Sequence, residues 1–200
     1  MRATRGNGVL EPWLARKRYK AAESLIPSGH RKGCIVDVGC GALPIFLARI
    51  DFSRKIGLDK SLGSGIAQSF SAENLQLIEH DIEKEDKLPL ESNYCDVVTM
   101  LAVIEHLESH RLKGLFSEIY RILKPGGIYI MTTPAPWTEG LLRIMAKFRL
   151  VSSVEIDDHK GKCDRTTIFS LLIAAGFPEE NVRGGYFELG LNLWAVVTRP

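Results

Sequence analysis

Nowhere in its 200 residues does the chain carry the uninterrupted run of about 18 apolar residues that crosses a bilayer as a helix, so no membrane span is expected. It also lacks any C-x-x-C pair. Cys34, Cys40, Cys95 and Cys163 are scattered, which argues against a zinc site and against a disulfide framework. The first three lie in or beside apolar, strand-like runs, where a small buried thiol fits. Behind the charged residues 1–8 there is no apolar stretch of the kind a signal peptide needs, so a cytoplasmic location is expected. Internal repeats, low-complexity tracts and linkers are missing as well. The chain therefore reads as a single domain, 1–200, large enough to bury a real core. The net charge is only +2, but it is unevenly spread. Residues 1–32 hold eight Lys/Arg against Glu11 and Glu23, leaving the remainder net acidic. Such a basic segment suits nucleic acid, an anionic substrate or a membrane surface, and it equally suits the solvated face of a helix.

What is present is an alternation of two hydrophobic periods. Leu10 to Ile26 has helical spacing through Leu14, Tyr19, Ala22 and Leu25-Ile26, and Pro27-Ser28-Gly29 ends it, so residues 1–32 read as a helical cap. Cys34 to Val38 is short, β-branched and nearly all apolar, as a strand covered on both faces by helices would be. Gly39-Cys40-Gly41 turns the chain, Pro44 suits a first helical position, and Ile45, Phe46, Leu47 and Ile50 supply an apolar face. Further strands are expected at 55–58, 75–79, 97–101 and 128–132. Helices are expected from Ser61 to about Phe70 and from Arg111 to Leu123, the second stopped by Lys124-Pro125-Gly126-Gly127. The repetition predicts a doubly wound α/β sheet with helices on both faces. After a helix at 166–175 come two strand candidates, 182–188 and 193–198. The gap between them is short enough for a hairpin and hence an antiparallel edge.

Ligands of open α/β sheets sit at the carboxyl ends of the strands. Three acidic features fall there: Asp37-Val38-Gly39-Cys40-Gly41, then Asp59, then Asp81. Glycines let backbone approach a ligand closely. Asp59 is suited to accept hydrogen bonds from two ribose hydroxyls, and Asp81 to take an adenine amino group. Each feature alone is weak, since any strand-to-helix turn holds glycines and Asp81 lies in the acidic run Glu79, Asp81, Glu83, Glu85, Asp86.

In order, these segments resemble the motifs of class I, Rossmann-like S-adenosylmethionine-dependent methyltransferases, in the subgroup similar to ubiquinone-biosynthesis and other small-molecule enzymes. Residues 36–41 resemble the first motif, 56–59 the second, 79–82 the third, 94–107 the fourth, and 121–127 the stretch before strand five. The resemblance implies a seven-stranded, mostly parallel sheet ordered 3-2-1-4-5-7-6 with strand seven antiparallel, and S-adenosylmethionine as methyl donor with S-adenosylhomocysteine as product. It places Gly39 and Gly41 under the methionine part, with Cys40 between them, and Asp37 orienting the turn or the amino group. Asp59, with Lys60 beside it, falls at the ribose, Asp81 and Ile82 at the adenine, and Leu101 and Ala102 beside the sulfonium. Leu43 departs from the pattern, standing where the family has a third glycine. Its side chain points towards the methionine arm or is forced outward.

Methyl transfer needs chiefly alignment, and an oxygen or nitrogen acceptor also profits from a base. His106, following strand four, and His159, after Asp157-Asp158, are the candidates, although a histidine at either place also has structural uses. His106 and His110 have i, i+4 spacing but no third ligand nearby, so no metal is expected. Residues 134–163 read as an insert after strand five. Its apolar positions Leu141, Leu142, Met145 and Phe148 and basic Arg143, Lys147 and Arg149 suit a lid over a small apolar or acidic acceptor, or a helix packed on the sheet. A nicotinamide dehydrogenase would want G-x-G-x-x-G/A, and Pro44 occupies its last position. An RNA methyltransferase fits the basic N-terminus, but aromatic and basic residues are not interleaved on any element, so nucleic acid is not the expected partner. A methyltransferase-like scaffold without turnover is the non-enzyme alternative, with Leu43 as its support. The acceptor atom and the oligomeric state are not written in these motifs.

Overall fold

A computed structural model describes residues 11–62, 74–138 and 164–200. The described elements run α1 (Glu11–Ser24), β1 (Cys34–Val38), α2 (Ile45–Arg49), β2 (Arg54–Asp59), β3 (Leu75–Glu79), β4 (Cys95–Leu101), α3 (Ser109–Ile122), β5 (Leu123–Pro134), α4 (Arg165–Ala174), β6 (Val182–Phe187) and β7 (Asn192–Thr198). The helix expected over 61–70 and most of the insert, including His159, lie outside the described residues beyond Leu62 and Thr138. Among the described residues no helix is long and apolar enough to cross a membrane.

The seven strands form one sheet in the order β3-β2-β1-β4-β5-β7-β6. The pairs among β1 to β5 are all parallel, and β7 runs antiparallel to both β5 and β6. Alternate residues of the inner strands feed two cores. Val36, Val38, Val98 and Met100 face Leu112, Phe116 and Ile119 of α3 and Ile168 and Leu172 of α4. Ile35, Val97 and Ile130 face Ala22 of α1 and Phe46 and Leu47 of α2. All five residues of β1 are buried, as its apolar run requires in the middle of a parallel sheet. By contrast β7 alternates buried and half-buried residues, in keeping with its place next to the edge.

Two local readings need correction. Pro44 is the residue before α2, not its first turn: its ψ of 58° is outside the helical region, and the helix begins at Ile45. Lys124-Pro125-Gly126-Gly127 does end α3, but it lies inside β5 and does not precede it. Leu123 already pairs with Cys95, and a register shift follows before Val97 meets Ile128. Proline has no N–H to donate to a ladder, so the chain passes it in a bulge. The bulge is closed from outside by Gly126 N–H on Arg199 O (2.8 Å) and Arg199 N–H on Gly127 O (2.9 Å). At this amino end Asp96 Oδ2 accepts from Cys34 N–H (2.7 Å) and from Lys124 Nζ (2.9 Å), which joins β1, β4 and β5 away from the opposite, carboxyl edge.

The β6–β7 hairpin is made with unusual residues. Gly190 N–H returns to Phe187 O (3.1 Å), while Glu188 and Leu189 between them have φ of 53° and 58°. Leu189 is fully exposed, so it has no packing to lose. A left-handed non-glycine residue costs about 1–2 kcal/mol, against which glycine's extra chain entropy costs about 0.5–1 kcal/mol. Leu189→Gly is therefore expected to raise the melting temperature by about 2 °C in a thermal scan. An unchanged or lower value would show that the turn is not strained.

Candidate functional site

The carboxyl ends of β1, β2 and β3 bring Asp37, Asp59 and Asp81 to one edge, because the register sets Asp37 beside Gly57 and Asp59 beside Glu79. After β1 the chain hooks over β2: the N–H groups of Gly39 and Cys40 both donate to Leu58 O (2.8 and 3.1 Å). Gly39 and Gly41 take φ of 77° and 75°, conformations that L side chains rarely adopt. Their surroundings differ. A Cβ on Gly39 would lie 2.5 Å from Val103 Cγ2, so this glycine admits the Val103 side chain, whereas one on Gly41 would meet nothing within 4 Å among the described residues. The space over Gly41 is therefore open, as a cradle for a ligand's polar chain must be. The Cys40 thiol points down to β2, where a Cβ on Gly57 would lie 2.8 Å from Sγ.

Asp59 staples this turn. Its Oδ2 accepts from Gly41 N–H and its Oδ1 from Ser61 N–H, both at 2.8 Å. Asp37 is buried, 4% exposed, and its Oδ1 accepts a 2.6 Å hydrogen bond from Thr99 Oγ1, the residue paired with it on β4. Burial pushes the Asp37 carboxyl up to about 7. The Thr99 hydroxyl opposes that rise and the negative charge of Asp59 adds to it. Burial also drives the Cys40 thiol far above its ordinary range, so it stays a neutral thiol. On β3's side, Asp81 Oδ1 accepts from Glu83 N–H (3.1 Å) and Oδ2 pairs with Lys84 Nζ (3.2 Å). Although its desolvation works the other way, the Glu83 N–H and the Lys84 and Lys60 ammonium groups hold the Asp81 carboxyl below its usual value. Lys60 Nζ is paired with Glu83. Ile82 is half-buried against the α3 side of the core, and Arg111 Nη2 donates to its carbonyl (3.3 Å).

On the β4 side Leu101 is half-buried beside Thr132 of β5. Ala102 follows with φ of 58° and donates its N–H to Thr132 O (2.9 Å), a strained backbone at the mouth of the site. His106 is half-buried in the short 3-10 turn Ile104–His106, and its N–H donates to Val103 O (3.0 Å). His110 does not share a helical face with it. Leu107 and Glu108 between them are extended (ψ of 148° and 137°), and His110 pairs with Glu108 (3.2 Å) at the surface.

Three side chains at this edge were not singled out by the sequence. Tyr19 of α1 stacks on Phe46 with ring centroids 5.5 Å apart, and burial and then the Asp37 charge raise its phenol above the usual value. Its signal was faint: an aromatic one turn from Ala15 and Ala22 within a basic stretch, on the stripe that faces the sheet. Thr99 and Val103 gave none, since their partners are far off in sequence.

With this geometry in view, comparison with known proteins is direct. Residues 36–131 match the family model described as a methyltransferase domain. A malonyl-[acyl-carrier protein] O-methyltransferase from Marinomonas sp. (strain MWYL1) is 31% identical over 102 residues, half of this chain. The match spans only 37% of that protein's length. Among solved structures, an S-adenosylmethionine-dependent methyltransferase from Thermotoga maritima superposes with a TM-score of 0.68 at 19% identity, covering 96% of this chain and 92% of that one. One from Mesorhizobium loti gives 0.65 at 18%, covering 90% and 96%. At such identity these two establish the fold.

A seven-stranded sheet of this order, with a glycine turn after β1 and acids at the ends of β1 to β3, is the Rossmann-like fold of these solved methyltransferases. Over residues 36–131, just under half of its length, the chain is similar to the methyltransferase-domain family.

Proposed function

We propose that the chain transfers a methyl group from S-adenosylmethionine to a small acceptor, in a site formed by the carboxyl ends of β1 to β4. The observation that carries this reading is the open space over Gly41, whose N–H is held by Asp59, in the turn that follows the buried Asp37. The bound cofactor supplies a methyl already activated on a sulfonium. A cationic ligand is favoured where three carboxylates stand together, and water-poor surroundings strengthen the attraction. Asp59 would take the ribose: a carboxylate has about four lone-pair sites, so its two backbone donors leave acceptor capacity for the hydroxyls. Asp81 and Ile82 would receive the adenine, with Lys60 held nearby through Glu83. Gly39, Cys40 and Gly41 would line the methionine arm by backbone, and Asp37 would face its ammonium. Leu101 and Ala102 would border the methyl, with His106 as the candidate base within the described residues.

Insert residues 134–163 would choose the acceptor. The relative named for malonyl-carrier O-methylation suggests an acidic acceptor, in line with the basic residues at 143, 147 and 149. Alignment of acceptor, methyl and sulfur is the largest contribution such a site makes, roughly 7–11 kcal/mol. Calorimetry with S-adenosylmethionine, S-adenosylhomocysteine and NAD tests the cofactor. The first two are expected to bind, and binding of NAD alone would overturn the reading.

A further inference from the structure

The paired residues Asp37 and Thr99 form a buried polar contact in the middle of an apolar sheet. On β4, Val97, Val98 and Met100 around Thr99 are fully buried, and Thr99 itself is 0% exposed. A buried hydroxyl needs a partner, and a valine would fill the same volume in a strand without one. Thr99 spends its one donor on Asp37 Oδ1 at 2.6 Å, across the parallel β1–β4 pair.

We propose that Thr99 is a positioning residue of the cofactor site: its hydroxyl holds the Asp37 carboxyl as an anion in one orientation, and so sets the pH range over which the cofactor's ammonium end is bound. The inference rests on the cofactor reading above. The groups facing Asp37 make the pair decisive. From β2 comes the Asp59 carboxylate, which disfavours a second negative charge. The turn contributes the neutral Cys40 thiol, and α1 contributes the Tyr19 phenol, with Arg18 and Arg49 acting on that phenol. Among the described residues acting on the Asp37 carboxyl, only the Thr99 hydrogen bond favours its ionised form, against burial and Asp59. A carboxyl brought to about 7 is half-protonated near neutral pH, and protonation removes the charge that meets the ammonium. Affinity therefore falls as pH falls through neutrality, and loss of the hydroxyl moves that fall to higher pH.

The test is S-adenosylhomocysteine affinity by calorimetry from pH 5.5 to 9 in the full chain, its Thr99→Val and Thr99→Ala variants, and Thr99→Ser. The ligand's own titration is common to all four and cancels in the comparison. The valine and alanine variants are expected to shift the midpoint upward by about one pH unit, weakening binding roughly fivefold at pH 7, while serine keeps the midpoint of the parent chain. An unmoved midpoint in whichever of the valine and alanine variants folds overturns the proposal, even if affinity drops equally at every pH, as a merely structural role would give. Failure of the parent chain to bind at any pH overturns the cofactor reading and this inference with it.

Discussion

Asp59→Ala is expected to weaken S-adenosylhomocysteine binding about a hundredfold, the equivalent of roughly 3 kcal/mol for a lost set of charge-assisted hydrogen bonds. The carboxylate does two things. It accepts from Gly41 and Ser61 N–H and so fixes the turn, and in the proposed site it also accepts from the ribose. Alanine leaves both N–H groups without this acceptor and frees the turn to open. Asp59→Asn keeps one acceptor oxygen and should fall between the two. Titration calorimetry reads the effect, with a thermal scan to show that the variant is folded. An affinity equal to that of the parent chain would mean that the ribose lies elsewhere.

The largest loss of stability is expected at Gly39. Its φ of 77° costs a side chain about 1–2 kcal/mol, and the added methyl would sit 2.5 Å from Val103 Cγ2 and 3.0 Å from Cγ1. A valine is stiff at χ1 and cannot swing aside, so overpacking adds about 1–3 kcal/mol. Gly39→Ala should thus lower the melting temperature by about 10 °C. Adding Val103→Ala should recover the steric part and leave the backbone part, which a double-mutant cycle separates. Gly41→Ala gives the contrasting result. Its φ strain is similar, but the methyl enters open space, so a modest stability loss should accompany a marked loss of cofactor affinity. If Gly39→Ala melts with the parent chain, Val103 is not what that glycine accommodates.

These contrasts show how far local pattern carries. The elements were legible because each depends on residues within a few positions. The all-apolar run of β1, the stripe of Leu112, Leu115, Phe116 and Ile119 on α3 and the short gap before β7 are all local. Motif order supplied the strand order and the three acids. The helix begins one residue after Pro44, and β5 takes in the Lys124–Gly127 stretch expected to precede it, because backbone torsions and cross-strand register decide such boundaries.

The site divides in the same way. By itself the sequence determined which residues stand at the ends of strands: Asp37 and Asp59 lie in the last residues of β1 and β2, and Gly39, Gly41 and Asp81 follow strands whose period is written in their own side chains. Only the tertiary structure decided what those residues do to one another. Thr99 meets Asp37 from 62 positions away, Asp59 reaches back 18 to hold Gly41, and Val103 fills the place of a Cβ on Gly39. Tyr19 arrives from a helix that precedes the whole sheet. Such contacts follow from register and layer packing, which join segments far apart in the chain, and no periodicity within a segment encodes them.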